Sequence, residues 1–284
     1  MADWACVNGR FSPLEQATIS INDRGLLFAD SVYEVLLAEG TRLLAGARHF
    51  ARLQRSLSAL GIAAELPQVR AWVAETLRQS GCATALIYVQ VTRGSAPRQH
   101  LPPPGLAPNV IVTVRAWQAT EPATRRHGVR VITVPESRWA RRDIKTTNLL
   151  PNFLAKQQAA AAGAYEALFV EADGTVNEGA SANVAAVLEG VIVTPPQSPR
   201  ILPGVSRDIV VELARRAGLR VEERTLTLDE LLRAEEVLLT GTTTEVQGVT
   251  QIDDAAVGTG AVGPVTWQLY EAYRAAAAEL LEPA

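Results

Sequence analysis

Chemistry that needs a nucleophilic amine has few places to sit in this chain. Of its 27 basic residues, 25 are arginine and only two are lysine, Lys145 and Lys156. A coding bias toward arginine explains a lysine-poor surface, where the two cations are nearly exchangeable, but not the survival of these two. A guanidinium cannot condense with an aldehyde to an imine, whereas an amine can, so a position requiring Schiff-base chemistry resists the replacement. Lys145 lies in Arg142-Asp143-Ile144-Lys145-Thr146-Thr147-Asn148, read as a short extended stretch ahead of a helix, from which a side chain can project into a cleft. Lys156 falls inside that helix beside Gln157, Gln158 and several alanines, where a charge is expected on a solvated face. Lys145 is therefore the expected nucleophile.

A second constellation is Arg98 and His100, two apart in Val91-Thr92-Arg93-Gly94-Ser95-Ala96-Pro97-Arg98-Gln99-His100. In an extended segment, residues i and i+2 share a face. A planar guanidinium that grips a carboxylate with two hydrogen bonds, next to another donor, makes a trap for a substrate carboxylate. From composition alone the same residues also read as a solvated loop before Pro102.

The elements that must position these groups alternate between strand-like and helix-like patterns. Strands are expected over 31–37, 85–93 and 109–115, and helices over 49–60 and 68–79, which makes one α/β unit. A polar, Pro-containing stretch over 118–126 reads as a linker, which divides the chain into domains at 1–117 and 127–284. Beyond it, strands are expected over 129–134, 166–171, 183–194 (broken by a turn at Glu189-Gly190) and 236–240. Helices are expected over 152–162, from Pro203-Gly204 to Gly218, and over 265–281.

Composition narrows the function classes. With 284 residues and 48% hydrophobic content, the chain can bury sizeable cores, and its formal charge of -3 gives no general electrostatic grip on nucleic acid. The Arg138-Trp139-Ala140-Arg141-Arg142 run is an isolated basic patch of the kind usually found on a solvated face. Cys6 and Cys82 form neither a Cys-x-x-Cys pair nor a Cys/His cluster, so no zinc or other metal site and no disulfide framework is expected, and a reducing compartment fits. Met1-Ala2-Asp3-Trp4 lacks the pattern of a signal peptide, and no apolar run is long enough to span a membrane. The expected location is the cytoplasm.

The chain resembles the fold-type IV pyridoxal-phosphate enzymes, and most closely the D-amino acid transaminases among them. The resemblance rests on five segments in the family's order: Asp23-Arg24-Gly25 with Asp30-Ser31-Val32-Tyr33-Glu34-Val35; Asp143-Ile144-Lys145 with Asn148-Leu149-Leu150; Asn177-Glu178-Gly179; Ile201-Leu202-Pro203-Gly204; and Thr240-Gly241-Thr242-Thr243. It implies an α/β architecture of two domains, a smaller N-terminal one and a larger C-terminal one, with the cofactor in the cleft between them. It also implies pyridoxal 5'-phosphate held by Lys145, with that amine moving protons at the substrate.

By the same resemblance Glu178 pairs with the pyridine nitrogen, since the ring withdraws electrons only while that nitrogen keeps its proton; alone, Asn177-Glu178-Gly179 reads as a turn. Arg52, Val205, Ser206, Gly241 and Thr242 are implied to bind the phosphate, Leu202 to pack against the ring, and Ser181 to join the cofactor site. Backbone N–H groups at a helix start and at a Gly-containing strand end suit an anion. Tyr33, Arg98 and His100 are implied to bind the substrate carboxylate, Arg98 and His100 from the neighbouring subunit of a homodimer.

The implied reaction moves the amino group of D-alanine to 2-oxoglutarate in two half-reactions, with small amino and 2-oxo acids as partners and neither nucleic acid nor membrane involved. Three enzymes of the same fold remain open as alternatives: (R)-selective amine transaminases, L-branched-chain aminotransferases and aminodeoxychorismate lyases. All would keep Lys145, Glu178 and the phosphate cup. A non-catalytic cofactor carrier predicts a damaged lysine or carboxylate, and both are intact.

Overall fold

The computed structural model describes residues 3–284, so the residues Met1 and Ala2 of the N-terminal reading lie outside the described residues. The chain forms two compact units, and neither is continuous. The first comprises Met1–Gln118 with Ile144–Asn148 and Glu279–Ala284; the second comprises Ala119–Asp143 with Leu149–Ala278.

The first unit is built on an antiparallel sheet. Its strands are β1 (Trp4–Val7), β2 (Arg10–Pro13), β3 (Ser31–Glu39), β4 (Arg42–Leu44), β5 (Thr84–Thr92), β6 (Asn109–Ala116) and a C-terminal strand, Leu281–Pro283. They run in the order C-terminal strand, β4, β3, β5, β6, β1, β2. Ala85, Ile87, Val89 and Val91 of β5 and Val110, Val112 and Val114 of β6 are buried in strict alternation, which turns one face of the sheet to the core. That face is covered by the helices α2 (Gly46–Leu60) and α3 (Leu66–Ser80); a short helix α1 (Arg24–Phe28) precedes β3. Phe50, Leu53 and Leu57 form the apolar stripe of α2, and His49, Arg52 and Ser56 are buried beside them at matching intervals.

The second unit begins with α4 (Pro122–His127) and has strands β7 (Val129–Pro135), β8 (Glu166–Val170), β9 (Val176–Gly179), β10 (Asn183–Leu188), β11 (Val191–Thr194), β12 (Val221–Glu223), β13 (Glu236–Gly241), β14 (Glu245–Ile252) and β15 (Ala255–Ala256). The helices are α5 (Leu150–Ala161), α6 (Val205–Arg216), α7 (Leu228–Arg233) and α8 (Pro264–Glu279). The order is β12-β11-β10-β13-β14-β7-β8-β9, and β9 also pairs with β10 at Glu178 and Asn183, so the sheet closes on itself. Val131, Leu168, Val184, Val237, Leu239 and Ile252 belong to its main core. The opposite phase of β7 and β8 (Val134, Ala167, Phe169) packs with Ala155 and Ala159 of α5, which is why these strands read as continuous apolar runs.

Two boundaries depart from the sequence expectation. The supposed linker 118–126 contains most of α4, whose Pro122 sits where proline suits a first turn, and Arg125 is buried, donating to the carbonyls of Thr244 and Val246 and to Glu245. The supposed continuity of 127–284 is broken twice. Thr146 pairs with Val32, with Tyr33 N–H donating to the Lys145 carbonyl at 2.9 Å, and Leu281–Pro283 pairs with β4, so backbone hydrogen bonds draw both segments into the first unit. Among the described residues no helix is long and apolar enough to cross a membrane.

The loop after β5 is fixed by Gly94, whose φ is +113° and where a Cβ would fall 2.1 Å from the Ala107 carbonyl oxygen. Gly61, at φ +62° with open space around it, gives the comparison. Gly94→Ala is expected to destabilise the protein by about 2–4 kcal/mol, against about 1 kcal/mol for Gly61→Ala. Urea midpoints of the two variants test this; equal losses would show that the loop yields freely around position 94.

Candidate active site

In the first unit the segment Ile144–Asn148 meets the start of β3 through a single antiparallel bridge between Thr146 and Val32. Its backbone is held by the Tyr33 N–H to the Lys145 carbonyl, by the Lys145 N–H to Ser56 Oγ at 3.3 Å, and by Thr147 Oγ1 against Ser31 Oγ at 2.5 Å. The Lys145 amine lies 4.3 Å from the centre of the Tyr33 ring and, among the described residues, has no hydrogen bond or ion pair. Lys156 differs: its amine donates to the Tyr165 carbonyl at 2.6 Å and pairs with Glu166 at 3.5 Å. The second lysine is thus engaged structurally and not simply displayed on a solvated face.

Behind this segment lies a charged cluster inside the apolar core. Glu34 takes the buried phase of β3 together with Val32 and Leu36. Arg52 donates to its two oxygens from Nε at 2.7 Å and Nη2 at 2.8 Å, and His49 Nδ1 donates to it at 2.7 Å. Burial alone would raise the Glu34 carboxyl, but the charge and hydrogen bonds of Arg52, joined by His49, hold it well below the carboxylate range. Burial lowers the His49 imidazole despite Glu34, and the positive charges of Arg52 and Lys145 push the same way.

Arg98 and His100 form a separate group. The chain there is irregular and not extended, and both side chains are exposed. They share a neighbour through Phe28 instead of through strand pleating: the Arg98 guanidinium lies 5.2 Å from its ring centre and the His100 ring 5.7 Å. Among the described residues neither touches Lys145 or Tyr33.

In the second unit Asn177-Glu178-Gly179 is part of strand β9, not a turn. Glu178 is buried, and its carboxylate accepts from Arg138 Nη1 at 2.5 Å, from the Leu202 N–H at 3.0 Å and from Asn183 Nδ2 at 3.2 Å. Three donors leave about one of a carboxylate's four lone-pair sites open for another partner. Burial raises this carboxyl above its ordinary value and the charge of Glu136 pushes the same way, against the charge and hydrogen bond of Arg138 and the Leu202 N–H; Arg138 also donates to Glu136 from Nε and Nη2.

Gly204 caps α6; a Cβ there would lie 1.9 Å from Asn183 Oδ1, so only glycine fits against the side chain that also reaches Glu178. No side chain caps α6, which leaves the N–H groups of Val205 and Ser206 as the donors of its first turn. The Ser206 hydroxyl is 3.2 Å from that of Tyr273. At Gly241, before the Thr242–Thr244 turn, a Cβ would make only ordinary contact with Thr244 at 3.4 Å, so the packing leaves space over this backbone. Ser181 Oγ and N–H both donate to Glu166, at 2.5 and 3.2 Å, which commits that hydroxyl within the protein.

These placements meet a clear likeness to known proteins. The description Amino-transferase class IV matches residues 31–252. The chain is 42% identical to a D-alanine aminotransferase of Bacillus licheniformis over 91% of this chain and 92% of that one, and 36% identical to one of Staphylococcus haemolyticus over 94% and 95%. Among solved structures it resembles the branched-chain amino acid aminotransferase of T.th. with pyridoxamine 5'-phosphate, with a TM-score of 0.89 and 32% identity over 98% of this chain and 94% of that one. It also resembles the Escherichia coli branched-chain enzyme, with a TM-score of 0.86 and 26% identity over 96% and 94%.

The chain belongs to the class IV aminotransferases. As a fold-type IV enzyme it uses pyridoxal 5'-phosphate and acts on small amino and 2-oxo acids. The residues present fit that cofactor: an amine that among the described residues makes no hydrogen bond or ion pair, a buried carboxylate with an acceptor site to spare, an uncapped helix start and a strand end left open by glycine.

Several charged and polar residues around these groups of the class IV aminotransferase are not legible as buried partners in the sequence. The basic run at 138–142 is no solvated face: the side chains of Arg138 and Arg142 are 6% and 10% exposed and paired with Glu136, Glu171 and Glu178, and only Arg141 is half-exposed. The buried pairing of Glu34, which lies within a matched segment, and the places of His49 and Asn183 are likewise not read from the sequence. The signal for the first two is a charged residue in the buried phase of an apolar strand, facing a helix with polar residues at positions 49, 52 and 56.

Replacing Glu34 leaves Arg52 buried without its partner, so Glu34→Gln is expected to cost about 3 kcal/mol or more near neutral pH. Because the folded carboxyl is depressed from its ordinary 4.5, the wild-type advantage is complete above that value and shrinks as pH falls below it. Denaturant titrations of both proteins across this range check the sign; a gap that widens on acidification would refute the assignment.

Proposed function

We propose that the protein is a D-amino acid transaminase that moves the amino group of D-alanine to 2-oxoglutarate, giving pyruvate and D-glutamate. The observation that carries this reading is the pair Arg98 and His100, exposed on one aromatic platform and offering a carboxylate a bidentate grip beside a second donor. The names of the relatives at 42% and 36% identity support it.

Bound pyridoxal 5'-phosphate supplies an aldehyde carbon and a ring that accepts the electrons of the substrate's Cα–H bond. Lys145, its backbone held in place, is the residue whose amine would hold the cofactor's aldehyde carbon and would move the proton at the substrate's Cα. Glu178, desolvated and oriented by Arg138, Asn183 and the Leu202 N–H, holds the proton on the ring nitrogen. The first-turn N–H groups of Val205 and Ser206, those at Gly241 and Thr242, and the cation of Arg52 are the proposed phosphate partners. Leu202 is assigned to the ring face and Tyr33 to the substrate carboxylate. Ser181 contributes through Glu166, not by a free hydroxyl.

The separation of Arg98 and His100 from Tyr33 within one chain supports a homodimer in which the pair serves the neighbouring subunit. Two buried free cysteines are compatible with a cytoplasmic protein.

The resemblance to branched-chain enzymes at a TM-score of 0.89 favours a second reading, an L-branched-chain aminotransferase. The two part on stereochemistry, because the side that binds the carboxylate decides which enantiomer turns its Cα proton toward Lys145. The purified holoenzyme should show a yellow absorbance that D-alanine bleaches and L-alanine and L-leucine do not, and Lys145→Ala should lack it. Arg98→Ala is expected to raise the KM for D-alanine by roughly 10- to 100-fold, the loss of a charge-assisted hydrogen-bond pair. Bleaching by L-leucine instead would transfer the assignment to the branched-chain reading.

A further inference from the structure

Arg98 and His100 stand on an irregular loop between β5 and β6, and an irregular, solvent-exposed segment holds two side chains in register only if its backbone is tied down. The ties converge on α1. At the loop's start the Arg24 N–H donates to the Gly94 carbonyl at 2.9 Å and the Ala96 N–H to the Asn22 carbonyl at 3.1 Å. Asp23, the N-cap of α1, accepts from Thr92 Oγ1 and from Asn109 Nδ2, both at 2.7 Å, so one carboxylate holds the two strands from which the loop departs and returns. Asp30 receives Arg93 Nε at 2.8 Å and Nη2 at 2.9 Å, and Arg93 also reaches the Leu60 and Gly61 carbonyls at the end of α2.

The tip is held by one side chain. Arg24, only 4% exposed, donates from Nη1 to the Gln99 carbonyl at 2.7 Å and from Nη2 to the His100 carbonyl at 3.0 Å, while its Nε donates to Asp30 at 2.8 Å. Its guanidinium lies 4.7 Å from the centre of the Phe28 ring, the ring that also supports Arg98 and His100. Two successive peptide planes are thus fixed by one rigid fork: these flank His100, and the first lies one peptide beyond Arg98. The fork's charge is met by Asp30 and its donors face two carbonyls, so Arg24 is occupied as a support and is not a ligand for a substrate carboxylate.

We propose that Arg24 is a positioning residue for substrate carboxylate binding: with Phe28 it forms a clasp that presets the Arg98–His100 loop, and so determines affinity for amino and oxo acids without touching them. This rests on the reading of Arg98 and His100 given above. Lysine cannot replace Arg24, because a point charge cannot serve three acceptors lying in the plane of one fork.

The test compares the holoenzymes of wild type, Arg24→Lys, Arg98→Ala, the double variant and Phe28→Leu for kcat, KM for D-alanine and 2-oxoglutarate, cofactor absorbance and thermal midpoint. Arg24→Lys is expected to raise both KM values about tenfold, leave kcat within about twofold and keep the wild-type absorbance, and its effect should shrink several-fold in the Arg98→Ala background, where only His100 remains to be positioned, since coupled residues are not additive. A fall in kcat at unchanged KM, or a KM effect that adds in full to that of Arg98→Ala, overturns the clasp. If Arg24→Lys does not give a folded holoenzyme, Phe28→Leu carries the same test with a smaller expected rise of about threefold. No rise from Phe28→Leu then overturns it. An Arg98→Ala enzyme with unchanged KM sinks the carboxylate reading itself, and the clasp with it.

Discussion

A carboxylate removed from water is tolerated only where donors replace its hydration, and the placement of such groups shapes both units of this protein. Glu34 is buried in the sheet of the first unit because Arg52 and His49 meet its oxygens, and that arrangement fixes the face of α2 that carries Ser56 to the Lys145 backbone. Glu178 is buried where the second sheet closes, and the groups that meet it (Arg138, Asn183 and the Leu202 N–H) join β9 to β10 and to the chain entering α6. Arginine suits this role better than lysine, since its planar fork serves several acceptors while keeping its charge. The rarity of lysine therefore has a structural side: nearly every buried cation in the molecule is a fork shared among oxygens.

Much of this was legible in the sequence, for identifiable reasons. The alternation in β5 and β6, the turn at Glu189-Gly190 and the glycine ahead of α6 are local signals, and the strands and helices they announce lie within a few residues of expectation. Lys145 stood out because chemistry excludes its replacement. Strand β9 reads as a turn because four residues of mixed polarity give no periodicity; its extended form comes from pairing with β8 and β10. The helix α4 was hidden because its stability derives from Arg125 reaching carbonyls more than a hundred residues away.

The charged clusters were the least legible part. An arginine three residues from another cation looks the same in sequence whether water or glutamate surrounds it, and Arg138 could be told from Arg141 only by what the fold brings near each. The extended geometry expected for Arg98 and His100 gives way in the structure to an irregular backbone and a platform, Phe28, drawn from another element. In both cases the deciding partner is distant in the chain.

The strand Leu281–Pro283 lies at the edge of the first sheet, against β4, and the segment carrying Lys145 lies along β3 of the same sheet. Residues of the N-terminal half thus wait for partners that leave the ribosome more than a hundred, and in one case more than two hundred, residues later. The second unit, by contrast, has all of its sequence by residue 278. Synthesis from the N-terminus ordinarily lets the earlier domain fold first, but here the later-encoded unit can be complete while the earlier one still presents an open strand edge, a template for unwanted pairing. Until Leu281–Pro283 pairs with β4, the outer edge of β4 in the first unit stays uncovered.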